Sequence, residues 1–325
     1  MSIRILGAGV MGLAIATELT TRGHRVEIID PAGPPGPHGC SWWAGGMLAP
    51  HFEVVDAEEP VERLGLDAAL WWDRHTGAVE HKGTLVLTPS RDKGELARFA
   101  RRSRNHRSLD AEGIAALEPD LAGRFGSGLL FETEAHLAPR KALLELKNRL
   151  DAAGVAFHAA APAATPALTI DARGLAARDA LPDLRGVRGE MLVLRCPGIS
   201  LSRPVRLLHP RIPLYIVPRG DGIFMLGATM IESDRRGIVT ARSLLELLSA
   251  AWALHPGFGE AEVLEMGADA RPAFPDNLPR LRRRGSTLYA NGLYRHGFLL
   301  SPAVARMAAD HIETGITPEF MDEVS

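Results

Sequence analysis

Apolar residues recur along this chain with two spacings, one of strands and one of helices. Ile3 to Leu6 form a short apolar run, and Leu13, Ala16 and Leu19 then repeat at helical spacing as far as Arg22, with Gly23 as a stop signal. A second run, Val26 to Ile29, ends at Asp30, so the first thirty positions predict strand, helix, strand. Leu143, Leu146 and Leu150 share the face of a later helix that has Pro139 near its start and Gly154 at its end, followed by strands at Val155 to His158 and Leu168 to Asp171. Between Gly189 and Ala228 the pattern predicts a meander of Glu190 to Arg195, Val205 to Leu208, Leu214 to Val217 and Ile223 to Leu226. Arg219 to Gly222 supply a turn within it. Thr240 caps a helix reaching Leu254, strands follow at Val263 to Met266 and Thr287 to Ala290, and a final helix begins at Ser301 and Pro302. The span from Pro50 to Gly128 is polar and helical in character, with one strand at Thr84 to Thr88.

The first unit carries chemistry. Its strand leads into Gly7, Ala8, Gly9, Val10, Met11 and Gly12. In such a unit Gly7 permits a tight turn, Gly9 lets the backbone approach a pyrophosphate, and Gly12 lets helix and strand pack closely. The helix N-terminus then faces the phosphates, and Asp30 can accept hydrogen bonds from a ribose. A dinucleotide site follows, and at this point both FAD and NAD fit it. Nucleotide-domain signals recur near residues 136–178 and at the C-terminus, which favours FAD modestly.

Composition narrows the field. The 325 residues suffice for two domains, and a net charge of -2 provides no global attraction for nucleic acid. The arginine runs at 101–107 and 280–284 are short and lack interleaved aromatics, so they are expected to be solvated faces. Two cysteines, Cys40 and Cys196, make neither a disulfide framework nor a four-cysteine zinc site. No apolar stretch is long enough to span a bilayer. A cytoplasmic protein that binds neither nucleic acid, membrane nor metal is expected.

The glycine unit, Ser41 to Pro50 (S-W-W-A-G-G-M-L-A-P), His209 to Gly222 with G-A-T-M after it, Ala270 to Asp276, and Asn291 to Pro302 together resemble the D-amino-acid-oxidase family of flavoproteins. Within it, the likeness is greatest to the branch that oxidises glycine for thiamine biosynthesis. The resemblance spans nearly the whole chain and implies an α/β fold. A Rossmann-type FAD-binding domain (1–44, 136–178 and 268–317) would be interleaved with an α+β substrate domain (45–135 and 179–267) built on an antiparallel sheet.

Carried over residue by residue, the resemblance implies cofactor contacts from Gly7, Gly9, Val10, Met11, Gly12, Asp30, Cys40, Ser41, Gly45, Gly46 and Met47. It adds Leu293, Tyr294, Arg295, His296, Gly297, Phe298 and Leu299 around the flavin's pyrimidine end, and Ala163 as a looser contact. Arg271 would hold a substrate carboxylate, with Tyr215, Met230 and Arg295 completing the pocket. Guanidinium suits that task because it offers two parallel hydrogen bonds. Arg271 is expected to project from a strand end before Pro272, and the final helix to aim its dipole at the flavin. Ala172, Arg173, Gly174 and Leu175 depart from the relatives' alanine-glycine-x-tryptophan, as do Trp42, Trp43 and Ala138 from their usual residues. Trp42 and Trp43 are expected to pack or to touch the flavin's edge.

Neither cysteine lies in a flavin-attachment motif, so FAD is expected to be noncovalent. The implied activity is oxidative deamination of glycine or a similarly small amino acid, giving imino acid or glyoxylate, ammonia and hydrogen peroxide, with oxygen as second substrate. A homo-oligomer is implied by relatives. The alternatives are an oxidase of other D-amino acids or sarcosine, a flavin dehydrogenase with another acceptor, and a flavin-bearing binding module without turnover.

Overall fold

The computed structural model describes residues 2 to 323 apart from Asp56, Glu58, Ser90, Arg91 and His209 to Pro213. The first part of the H-P-R-I-P-L-Y motif therefore lies outside the described residues.

Strand Ser2–Leu6 lies at the centre of a sheet, parallel to Arg25–Ile29 on one side and to Leu168–Asp171 on the other. The sheet extends in parallel to Ala156–His158 at one edge and through Thr287–Asn291, Arg280–Arg284 and Met321–Glu323 at the other. Ile3 and Ile5 are fully buried, as a central parallel strand covered on both faces requires. The helix Val10–Thr21 is buried continuously from Val10 to Leu19, so it is enclosed all round instead of presenting one apolar stripe. Helices Pro139–Ala152 and Gly297–Thr314 pack against it. Gly12 makes the fit possible, because a Cβ there would lie 1.9 Å from the Gly7 carbonyl oxygen.

A second sheet of nine strands, among the described residues, runs Ile231–Glu232, Arg185–Arg195, Ile223–Gly227, Leu214–Pro218, Val205–Leu207, Thr84–Leu87, Ser127–Phe131 and Arg107–Asp110, with Glu262–Ala273 also paired to Arg185–Arg195. Only the strands Val205–Leu207, Leu214–Pro218 and Ile223–Gly227 form a consecutive meander. The strand predicted to open it, Glu190 to Arg195, is the end of a longer strand, Arg185–Arg195, which lies beyond Ile223–Gly227 and also pairs with the long Glu262–Ala273 strand. A three-stranded sheet of Met47–Leu48, Ala135–Leu137 and Val79–Glu80 lies beside the two larger ones. The fold is α/β, as expected.

Three local expectations are corrected. The strand predicted to end at Met266 continues to Ala273, so Arg271 is paired within it opposite Val187 instead of projecting from its end. Pro272 is tolerated there because the strand is near its end. Arg280–Arg284 is a strand of the first sheet, not a solvated face. Leu281 is buried, Arg280 is held by Asp276, and Arg282 by Asp183 at 2.7 Å and Asp322 at 3.1 Å.

The final helix starts at Gly297, so Ser301 and Pro302 are internal and not a cap and first turn. Proline there has no N–H, which leaves the Phe298 carbonyl without its helical donor. The Trp72 indole replaces that donor, with Nε1 to Phe298 O at 2.7 Å, and its ring is fully buried against Phe298. Neither residue reveals this in sequence, since Trp72 lies on another helix, Ala68–Thr76.

Trp72→Phe should therefore strand a buried carbonyl and destabilise the protein by about 1 to 3 kcal/mol beyond any packing loss. Adding Pro302→Ala, which restores an N–H to Phe298 O, should recover part of that loss. Chemical denaturation of the two single variants and the double variant gives the coupling, and strictly additive effects would show that the indole is not the replacement donor.

Candidate active site

The two larger sheets meet at a cavity of about 590 Å³. Glycines shape its floor. Gly7 has a φ of +102°, and a Cβ there would meet the Ala172 carbonyl oxygen at 2.6 Å, whereas Gly9 has only the Ser41 hydroxyl within 4 Å. The helix beginning at Val10 has no side-chain cap at Gly9, so the first-turn N–H groups face the cavity with the positive end of the helix dipole. Ser41 Oγ accepts from Val10 N at 3.2 Å. Asp30 accepts from Ala8 N at 2.8 Å through one oxygen and from Ala32 N at 3.0 Å through the other, which holds the carboxylate at the cavity edge with lone pairs to spare.

Gly7, Gly9, Val10, Met11, Asp30, Cys40, Ser41, Gly45, Gly46 and Met47 all line this cavity, as do Leu293 to Leu299. Gly12 does not; it lies behind the turn against Gly7. Ala163 also lies away from the lining. The helix N-terminus at Gly297 opens onto the same space, with Gly297 close against Val10. A space lined by two helix N-termini, a glycine floor and an acid suits a dinucleotide with a pyrophosphate and a ribose. Trp42 and Trp43 line it as well, with Arg140 stacked 5.1 and 5.0 Å from their ring centres. Burial pushes the Cys40 thiol up to about 11, so it is protonated and a poor nucleophile.

The four residues expected at the substrate end are brought together. Arg271 rests against Gly189 and donates to Thr229 O at 3.3 Å, yet forms no ion pair among the described residues. Tyr215 packs its ring on Gly45 and donates its hydroxyl to Met191 Sδ at 3.3 Å; burial raises its pKa. Met230 stands at the rim, 48% exposed, with its sulfur 3.5 Å from both Tyr294 and Arg295.

Arg295 is bound into a cluster absent from the sequence reading. Glu53 is buried and receives Arg295 and Arg206, each at 2.8 Å, and His296 at 3.1 Å. Burial opposes its ionisation, but Arg295 and Arg206 beside it, with His296, hold its carboxyl well below the usual carboxylate range. Arg206 also lies 3.5 Å over the Phe52 ring. Phe52, Glu53 and Arg206 all line the cavity. Their only signal in sequence is an arginine between the buried Val205 and Leu207 of a short strand.

The family model described as FAD dependent oxidoreductase, DAO, matches residues 2–311. The chain belongs to this family. A Rhizobium etli protein provisionally named thiamine biosynthesis oxidoreductase ThiO is 54% identical over 318 residues, covering 97% of each chain. Glycine oxidase of Geobacillus kaustophilus is 30% identical over 367 residues, with 96% of this chain and 92% of the relative covered. The crystal structure of iminodiacetate oxidase from Chelativorans sp. BNC1 has a TM-score of 0.83 over 99% of both chains at 22% identity, a likeness of fold. The cofactor is FAD, and the enzyme is an FAD-dependent oxidoreductase. No helix among the described residues is long and apolar enough to cross a membrane.

The wall carrying Phe52 and Glu53 has its own titrating support. Buried Glu134 accepts from Phe52 N at 2.7 Å, and burial raises its carboxyl to about 7. A raised acid pKa means that the folded state keeps a proton which the unfolded chain, near 4.5, has released. Glu134 therefore contributes stability below about pH 4.5 that is lost as pH rises to about 7, by at most about 3 kcal/mol. Glu134→Gln, which keeps the acceptor without a charge, should remove this slope. Denaturation midpoints of both proteins from pH 4 to pH 8 check it, and parallel curves would contradict the assignment.

Proposed function

We propose that this chain oxidises glycine, or an amino acid of similar size, to the imino acid, which water converts to glyoxylate and ammonia while oxygen is reduced to hydrogen peroxide. The observation that carries the reading is Arg271, a cavity-lining guanidinium with no acidic partner among the described residues. A cation so placed is costly unless an anion joins it, and a carboxylate matches its two-pronged geometry. The name of the Geobacillus kaustophilus relative supports the choice of amino acid, and that of the Rhizobium etli relative a place in thiamine biosynthesis.

In this reading bound FAD, held without a covalent link, supplies the two-electron acceptor. Asp30 would accept from the ribose hydroxyls, and Val10 and Met11 would lie at the pyrophosphate, with the Met11 N–H free to donate while the Val10 N–H is held by Ser41. Gly12 lets the first helix approach. Cys40 and Ser41 would hold the adjoining part of the cofactor, and Leu293 to Leu299 would hold the flavin. The Gly297 helix directs its partial positive charge there, where it stabilises negative charge as it develops. Arg271 fixes the carboxylate and so the orientation of the α-carbon. Tyr215 closes one side of the substrate space, Met230 its rim, and Arg295, held by Glu53, the wall opposite. The FAD-binding part would comprise 1–44, 136–178 and 268–317, and the substrate-binding part 45–135 and 179–267.

Arg271→Ala should retain FAD and its spectrum but reduce anaerobic bleaching by glycine by roughly thirty-fold to several-thousand-fold, the equivalent of about 2 to 5 kcal/mol for a lost charged partner at a desolvated site. Arg271→Lys should recover only part, because a point charge lacks the fork. Stopped-flow reduction by glycine and by an amine without a carboxylate separates the cases. Equal losses for both donors, or none for glycine, would remove Arg271 from the carboxylate site.

A further inference from the structure

Arg219 belongs by sequence to a hairpin turn, and its backbone does close that turn, with its N–H on Ile223 O at 2.8 Å. Its side chain does something else. Nη2 donates to Gly45 O at 2.6 Å, and Nη1 to Leu137 O at 3.2 Å. These two carbonyls lie on segments already joined to each other. Leu137 N donates to Gly46 O at 2.9 Å, and Met47 pairs with His136. Gly46 has a φ of +73°, and a Cβ there would lie 2.2 Å from Leu137 O, so the contact leaves no room for a side chain. One guanidinium thus bridges the hairpin end of the large sheet, the Gly45–Met47 loop and the strand Ala135–Leu137.

The charge itself is unbalanced. Among the described residues no carboxylate forms an ion pair with Arg219, and its side-chain partners are carbonyls and the Met225 sulfur. Burial pushes it down to about 10, with Tyr215 and Glu80 acting in the opposite sense and Arg140 adding to the fall. Two carbonyls could be satisfied by a neutral donor at less desolvation cost. A positive charge retained in that position acts on what lies beyond the carbonyls. Gly45, Gly46 and Met47 line the cavity, with the Tyr215 ring against Gly45.

We propose that Arg219 is a positioning residue that seats the Gly45–Met47 loop against the bound isoalloxazine and, through its uncompensated charge one peptide behind the cavity wall, stabilises the electron-rich reduced cofactor. This rests on the reading that the loop faces the ring.

The test uses holoenzyme of the wild type, Arg219→Gln and Arg219→Lys, and reads two quantities that loop packing alone would not order by charge. They are the midpoint potential of the bound flavin, taken against reference dyes, and its dissociation constant for sulfite. Arg219→Gln is expected to bind sulfite about tenfold more weakly and to have a potential about 30 mV lower, the two-electron equivalent of tenfold. Arg219→Lys should stay within about threefold of wild type. If the Gln variant does not fold, Arg219→Met takes its place in the same comparison. Equal losses in the charged and neutral variants, no change in the neutral one, or loss of FAD from all of them as folded apoprotein would each overturn the proposal.

The premise is checked separately by Gly45→Ala, whose Cβ would press on the Tyr215 ring at 2.7 Å. An unmoved visible flavin band in that variant would overturn the loop placement, whereas a moved band with unchanged potentials in the Arg219 variants would overturn the role of the charge alone.

Discussion

Gly12 carries no side chain because the Gly7 carbonyl oxygen occupies the place of its Cβ, at 1.9 Å. That contact lets the first helix lie directly on the central strand, and it directs the helix N-terminus into the cavity. Because the helix is then buried on every side, the chain must bring both the Pro139–Ala152 helix and the C-terminal helix to cover it. The C-terminal helix arrives with its own N-terminus at Gly297 next to Val10. Two helix N-termini meet in one place, which is where a dinucleotide's negative charge is best accommodated.

The second sheet supplies the cations. Arg271 comes from its long edge strand, Arg206 from a short inner one and Arg219 from a hairpin end. Each is managed differently. Arg206 is paired with Glu53 and stacked on Phe52, Arg219 is given carbonyls, and Arg271 has one carbonyl and open space. The graded set leaves Arg271 as the guanidinium with the fewest protein partners among these three.

Support for this arrangement comes from buried polar groups outside the cavity. Trp72 replaces the donor that Pro302 lacks, so the first turns of the C-terminal helix stay closed while Gly297 keeps its position. Glu134 caps the short Pro50–Glu53 helix from behind and so fixes where Phe52 and Glu53 point. In both cases a single side chain from a distant segment satisfies one backbone group, and the cost of leaving such a group unpaired makes the connection specific.

The strand-glycine-helix-strand unit, its terminal Asp30 and the helices capped by Thr240 and opened by Pro139 were legible in sequence. Their causes are local: a missing Cβ, a helical repeat, a capping hydroxyl, a ring that presets φ. The resemblance of ordered motifs extended this to FAD and to the parts of the cavity lining formed by residues 40–47 and 293–299 with Tyr215, Met230 and Arg271. The start of the last helix was misread because Ser301 and Pro302 satisfy the local rules for a helix start, and only the remote Trp72 indole cancels the cost of an internal proline. Arginines were the least legible. Arg206 finds Glu53 across 153 residues, and Arg219 finds Gly45 across 174. A guanidinium looks the same in sequence whether water, a carboxylate or a carbonyl completes it, so its role is decided only when the tertiary fold delivers the partner and excludes the water.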